Sequence, residues 1–117
     1  MAEHLNRTVL EHLQEVMGEE YAQLLEAFLK DAEERLALMR TALRTADGEG
    51  FWRAAHSFKG SCSNLGAELL AALCQDMESL GRGGRLAEAG VLFEALEREQ
   101  AIVRLLMRGE LQRCRRS

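Results

Sequence analysis

One histidine of this sequence, His56, has neighbours at helical spacing that suit the transfer of an anionic group. At about 100° of rotation per residue, the surrounding segment forms an apolar face, and His56 projects from the opposite side. That apolar face comprises Phe51, Ala54, Ala55, Phe58, Ser61, Cys62 and Leu65. Because an imidazole that is neutral near pH 7 is a nucleophile, an outward His56 could attack a phosphoryl group.

Two residues next to His56 favour the phosphoryl hypothesis. Gly60 lies on the same face as the histidine, although glycine inside a helix is less stable than alanine by about 1 kcal/mol. We therefore expect Gly60 to leave space beside the imidazole. Lys59 would bring an ammonium group to that space and offset the charge of a phosphoryl group. The alternatives are a solvated Lys59 and a His56 without a chemical role.

A protein partner is expected to dock around this histidine. Trp52, Arg53 and Ser63 lie on the same side of the segment as His56, and an aromatic residue with polar neighbours is a common anchor of protein interfaces. The alternative for Trp52 is that its ring reaches sideways and packs against a neighbouring helix.

The motif around His56 resembles that of a known family. Residues 55–67 read AHSFKGSCSNLGA, which is similar to the signature of histidine-containing phosphotransfer (Hpt) domains of bacterial two-component phosphorelays, approximately A-H-x-L-K-G-S-S-x-x-L-G. Phe58 replaces the commoner leucine, and Cys62 stands where serine or alanine is usual. Both departures fall on the apolar face. The resemblance extends along nearly the whole chain.

The resemblance implies a phosphorelay intermediate. His56 would accept a phosphoryl group from the phospho-aspartate of a response-regulator receiver domain, including that of a hybrid sensor kinase, and would pass it to another receiver. Glu78 stands where the family often has a glutamine or glutamate that faces the histidine, and it would hold one ring nitrogen; the alternative is an ordinary surface glutamate. The Mg²⁺ ion of the reaction would come from the receiver, and this chain would bind no cofactor.

Other kinds of chemistry lack their motifs here. The sequence has no Gly-rich phosphate loop, so we expect a phosphocarrier without autokinase activity. A metal or haem bundle would need inward Glu-x-x-His pairs, but Glu49 precedes His56 by seven residues; we expect no metal site. His4 and His12 are predicted to be solvated surface residues. A non-catalytic scaffolding bundle remains the alternative function.

Composition indicates one helical domain. The chain has 117 residues, 47% of them hydrophobic, and no proline, so we expect a single domain over residues 1–117. A net charge of −4 argues against nucleic acid and anionic membranes as partners. Three cysteines without metal-type spacing indicate a reducing compartment, and no signal peptide or membrane-spanning run is present. We therefore expect a cytoplasmic monomer.

Apolar periodicity predicts five helical segments. They cover residues 6–17, 19–46, about 48–64, 67–80 and 86–107, with a glycine-rich turn at residues 81–84. Short turns between helices favour antiparallel packing. The predicted fold is therefore an all-α, up-down-up-down four-helix bundle with a short additional N-terminal helix across one end. Gly109 is expected to end the last helix. Residues 110–117 would then form a basic, mobile tail, which could be a partner patch or a solvated end.

Overall fold

The computed structural model describes residues 3–116 and contains five α-helices. These are α1 (Arg7–Met17), α2 (Tyr21–Arg44), α3 (Gly48–Asn64), α4 (Glu68–Arg82) and α5 (Leu86–Arg116), with a short 3₁₀ turn, Gly18–Glu20, between α1 and α2. Within residues 3–116 there is no β-strand. No helix in that range is long and apolar enough to cross a membrane.

Helices α2 to α5 form an antiparallel bundle. Three-residue connections at residues 45–47, 65–67 and 83–85 join them, and connections this short force successive helices to run in opposite directions. Helices α3 and α5 each pack against both α2 and α4, so α3 and α5 lie on one diagonal of the bundle. The predicted up-down-up-down four-helix architecture is confirmed.

Side-chain caps and one glycine fix the helix ends that position α1. The Asn6 carboxamide accepts hydrogen bonds from the amides of Thr8 (3.0 Å) and Val9 (3.3 Å), as an N-cap should. Gly66 has a φ of +75°, a conformation that glycine adopts easily, and its carbonyl accepts from the Asn6 amide at 2.8 Å. The short helix therefore begins at the end of the bundle where α3 turns into α4.

The core explains why His56 lies outside it. The inner face of α3 consists of Phe51, Ala55, Phe58 and Cys62, all at 0% exposure. The Phe58 ring lies 6.2 Å from that of Phe28 on α2, within the range of favourable aromatic pairs. Burial of this apolar face is the main reason that α3 takes its orientation, and it leaves the opposite face of α3 to solvent.

The last helix is longer than expected. Helix α5 continues through Gly109 to Arg116, so the prediction of a helix end at Gly109 is wrong, and residues 110–116 belong to the last helix; Ser117 lies outside the described residues. The physical reason is tertiary packing, because Glu110 and Leu111 are buried. Glu110 accepts hydrogen bonds from the Tyr21 hydroxyl (3.1 Å) and from Arg7 (2.8 Å), and these bonds hold the last turns in helical form.

The predicted glycine-rich turn also begins later than expected, because α4 extends to Arg82. Gly81 is buried inside this helix. A Cβ atom at Gly81 would lie 2.8 Å from the Cβ atom of Trp52, which is closer than two carbon atoms can approach. Gly81 therefore allows α4 to pack closely against α3, and the turn itself uses Gly84 at a φ of +72°.

Candidate functional site

The outward face of α3 meets α4 at a histidine and a buried glutamate. His56 is exposed, with 59% of its side chain accessible, whereas only 8% of the Glu78 side chain is accessible. The two side chains meet through His56 Nδ1 and Glu78 Oε2, which are 3.0 Å apart. The structure thus brings together two of the residues that the sequence singled out, and Glu78 is not an ordinary surface glutamate.

Two cations share the same carboxylate. Lys59 Nζ donates hydrogen bonds to Glu78 Oε1 at 2.7 Å and to Gln75 Oε1 at 2.8 Å. On the other side, Arg82 Nε donates to Glu78 Oε2 at 3.2 Å. Burial raises the pKa of Glu78, but the hydrogen bonds and charges of Lys59 and His56 together lower it below its usual value of 4.5. Glu78 is therefore ionised at neutral pH.

An ionised Glu78 determines which imidazole nitrogen is reactive. A carboxylate can only accept hydrogen bonds, so Nδ1 of His56 must carry the proton in the 3.0 Å contact with Glu78. In the neutral imidazole the other nitrogen, Nε2, then has the lone pair. Nε2 has no hydrogen-bond partner within residues 3–116. Nε2 is thus an unprotonated nitrogen on an exposed side chain, and it has the chemistry to act as a nucleophile.

The surface at Gly60 is open, one helical turn after this imidazole. A Cβ atom at Gly60 would meet nothing within 4 Å, so the glycine is not needed for contact with another helix of this chain. Gly60 is exposed and lies one turn after His56 on α3. The arrangement can accommodate a tetrahedral anion and the surface that delivers it.

Arg82 is a site residue that the sequence analysis missed. Its guanidinium carbon lies 3.9 Å from the centroid of the Trp52 ring, so the arginine is held between that ring and Glu78. A signal was present in the sequence, because Arg82 follows Glu78 by four residues and such pairs are neighbours on a helix. The signal was hidden by the assignment of residues 81–84 to a turn.

The expected docking residues do not all have the same surroundings. Arg53 and Ser63 are exposed, and Arg53 pairs with Glu49 one turn earlier on α3. Trp52 is only partly exposed, and it packs against Gly81 and Arg82 of α4. This sideways packing is the alternative considered above for Trp52. Arg53 and Ser63 are thus the exposed members of the predicted docking set.

The two remaining histidines both lie at the surface, as predicted, but His4 also has a buried partner. His12 is exposed. His4 is not simply solvated, because its Nδ1 lies 2.6 Å from Oε2 of the buried Glu99 on α5. The contact spans 95 residues of sequence, which is why periodicity could not reveal it. Within residues 3–116, no group of three or more His, Cys, Asp or Glu side chains is placed to hold a metal ion.

Comparison with known proteins identifies the class to which this helical bundle and its exposed histidine belong. A family profile described as "Hpt domain" matches residues 23–115. The chain belongs to the Hpt domain family, and it is a histidine phosphotransfer intermediate of two-component signalling.

A solved structure supports the same assignment. The crystal structure of histidine-containing phosphotransfer protein B from Pseudomonas aeruginosa PAO1 is 49% identical in sequence and superimposes with a TM-score of 0.93. The match covers 97% of this chain and 98% of that protein. Comparison with curated protein sequences gives no match.

Proposed function

We propose that Nε2 of His56 is the atom that carries the phosphoryl group in this relay. The observation that supports the proposal most is the 3.0 Å contact between Nδ1 and Glu78, which leaves Nε2 free on a side chain that is 59% exposed. The donor is the phosphorylated aspartate of one response-regulator receiver domain, and the acceptor is the unphosphorylated aspartate of another; one of these receivers belongs to a hybrid sensor kinase.

The transfer step balances on the atoms of this site. The Nε2 lone pair attacks phosphorus, a P–N bond forms, and the bond between phosphorus and the aspartyl oxygen breaks. The electron pair of that bond leaves with the aspartate as a carboxylate. Nδ1 keeps its proton, so the imidazole ring gains a positive charge, and the Glu78 carboxylate beside Nδ1 stabilises that charge. No separate base is required, because the nucleophilic nitrogen is already deprotonated.

The cations around Glu78 have two effects. Lys59 and Arg82 hold the carboxylate in place through both of its oxygens, and this fixes the imidazole ring in turn. They also give the cluster a positive balance beside Gly60, because two cations face one carboxylate. A positive field stabilises the equatorial oxygens of a phosphoryl group during transfer.

The remaining parts of the active site come from the receiver. We propose that the receiver supplies the Mg²⁺ ion, and that this chain has no autokinase activity. The receiver docks on a face centred on His56 that includes Arg53, Ser63 and the exposed part of Trp52. The protein works as a monomer in the cytoplasm, where free cysteines such as Cys62 and Cys74 stay reduced.

The test is a phosphotransfer experiment with a receiver. A receiver domain phosphorylated by acetyl phosphate should transfer label to this protein, and the label should be labile to acid and stable to alkali. Incubation with ATP and Mg²⁺ alone should leave the protein unlabelled. Label from ATP alone would contradict the assignment as a carrier without kinase activity, and an acid-stable label would contradict histidine as the acceptor.

A further inference from the structure

The second half of α5 carries an unusual charge for this protein. Residues 98–116 contain six arginines and two glutamates, a net charge of +4, whereas the whole chain carries −4. Both glutamates are buried; Glu99 is bonded to His4, and Glu110 is bonded to Arg7 and to Arg113 of the same segment. The positive charge of this segment is therefore not balanced by acidic groups on its own surface.

An apolar stripe runs along the outward side of the same segment. Leu105 is 74% exposed, Leu106 45% and Ile102 41%. One side of the helix carries Arg98, Ile102, Leu105 and Gly109. These residues are separated by steps of four, three and four positions, so they form one line along the helix. We call this line, together with Leu106, the α5 stripe. It lies on the helix diagonal to α3, away from the surface around His56.

Gly109, at the C-terminal end of the α5 stripe, lies in a depression where two grooves meet. Glycine inside a helix is unfavourable by about 1 kcal/mol relative to alanine, and a Cβ atom at Gly109 would meet nothing within 4 Å. No contact within residues 3–116 thus requires a glycine at this position. Two grooves, of about 740 Å³ and 440 Å³, meet at Gly109 and Leu105. His4 and Leu5 form a wall of the first groove, and Leu29 of α2 lines the second.

Unpaired cations flank the stripe. Arg98 and Arg108 are exposed, and neither has a carboxylate partner within residues 3–116, whereas Arg104 pairs with Glu33 and Arg115 with Glu26. Arg108 also lines the second groove. The surface thus combines an apolar line, a depression at Gly109 and free positive charge.

We propose that the α5 stripe is a second docking surface, whose partner is an acidic amphipathic helix of another protein. Charge complementarity selects carboxylates on the partner, and the apolar line with an open glycine suits the close approach of a helix that presents apolar side chains. A second copy of this chain fits poorly, because it would bring two surfaces of like charge together. A membrane has no fixed side chain to fill the depression at Gly109. The proposal does not depend on the chemistry of His56.

The test uses two synthetic helical peptides. Both carry leucines at every third and fourth position, and they differ only in that the flanking residues are glutamate in one and lysine in the other. Titration of the ¹⁵N-labelled protein should give at least about tenfold tighter binding of the glutamate peptide, with chemical-shift changes confined to residues 98–116 and the two groove walls. Equal affinities, or changes centred on His56, would overturn the proposal.

Matched variants locate the contact. Leu105→Glu and Gly109→Leu should each weaken binding of the glutamate peptide about tenfold or more, because one adds like charge and the other fills the depression. Val91→Glu is the control, since Val91 is 76% exposed on α5 outside the stripe, and it should leave affinity unchanged. All three variants should accept phosphate from a receiver at the parental rate, which shows that they are folded. Equal loss in the Val91 variant would contradict a local surface.

Two further measurements test the other possible partners of the α5 stripe, a second copy of this chain and a membrane. Sedimentation equilibrium should show a monomer, and vesicles of phosphatidylserine and phosphatidylcholine should not bind the protein at physiological salt. Self-association that is lost in Leu105→Glu would assign the stripe to a second copy of the chain. Vesicle binding that is lost in the same variant, without peptide binding, would assign it to a membrane. Either result would overturn the proposal.

Discussion

Two histidines of this protein bind a buried glutamate in the same way, yet their surroundings differ. His56 Nδ1 lies 3.0 Å from Glu78, and His4 Nδ1 lies 2.6 Å from Glu99. Glu78 is also bonded to Lys59 and Arg82. Glu99 has His4 as its ion-pair partner within the described residues. A histidine held by a glutamate is therefore not sufficient to define a phosphorylation site.

The difference lies in what else surrounds the ring. His56 projects from the middle of α3 beside the open space at Gly60, and cations lie next to its glutamate. His4 precedes α1 and joins the N-terminal segment to α5. The His56–Glu78 pair leaves an imidazole nitrogen accessible near positive charge. The His4–Glu99 pair holds the N-terminal segment against α5.

The largest expected effect separates the two histidines. His56→Gln should abolish labelling by a phosphorylated receiver, because the side chain no longer has a nucleophilic nitrogen. His4→Gln should be labelled at the parental rate. Acid-labile label measured in a single-turnover experiment decides the matter; label that persists on His4 or His12 in the His56→Gln protein would refute the assignment.

The next prediction compares two open glycines. Gly60→Leu should reduce the transfer rate by about a hundredfold or more, because misplacement of reacting groups by even about 1 Å has an effect of that order. Gly109→Leu should leave the rate unchanged. Both substitutions should stabilise their helices by up to about 1 kcal/mol, as measured by urea unfolding. If the Gly60→Leu protein unfolds at a lower urea concentration than the parent and still accepts phosphate at the parental rate, then Gly60 does not lie on the face of α3 that carries His56.

A smaller effect is expected for the two glutamates. Glu78→Gln keeps an oxygen that can accept from Nδ1 but removes the charge that stabilises the phosphorylated ring, so transfer should slow by about tenfold. Glu99→Gln should have no effect on transfer. Measured rates that fall equally in both variants would point to general destabilisation instead.

The stability of the Glu78 cluster should also depend on pH. The pKa of Glu78 is lowered in the folded protein, so its ionic contacts stabilise the fold above its usual value of 4.5, and this contribution is lost as the pH falls through the lower folded value. The stability difference between the parent and Glu78→Gln should therefore be constant near neutral pH and shrink below pH 4.5. Urea unfolding of both proteins at several pH values measures this stability difference. A difference that becomes larger below pH 4.5 would contradict a lowered pKa of Glu78 in the folded protein.

The smallest effect concerns Trp52. Because the ring packs against Gly81 and Arg82, Trp52→Ala should lower the free energy of unfolding by about 2 kcal/mol and slow transfer only a few-fold through loosened Arg82. Arg53→Ala is the matched control for docking: Arg53 pairs with Glu49 and lies 5.3 Å from the centroid of the Trp52 ring, both at the surface, so the stability of this variant should hardly change. Unchanged stability of the Trp52 variant with lost receiver affinity would favour docking as its main role.

The sequence revealed the parts of the fold and site that depend on local spacing. The direction of His56, the open side of Gly60 and the helical segments all follow from periodicity within a few turns of helix. Glu78 could not be placed by spacing alone, because its contact with His56 joins two helices across 22 residues. The family resemblance supplied that pair.

Errors arose where distant packing overrides a local signal. Gly109 is a typical helix end in sequence, but Glu110 is held by Tyr21 and Arg7, which are 89 and 103 residues away. Gly81 was assigned to a turn for the same reason, since its close contact with Trp52 is visible only after α3 and α4 are packed together. A glycine in sequence does not show whether it ends a helix or admits a neighbour.

The contacts between the N-terminal segment and α5 affect the order in which the protein folds. Helices α2 to α5 contact their sequence neighbours, whereas His4 and Arg7 reach Glu99 and Glu110 across 95 and 103 residues. Contacts of such long separation form late, because the chain must first close a large loop. We expect α1 to dock last and to detach first. Amide hydrogen exchange should therefore be faster for Leu10 than for the buried residues of α3.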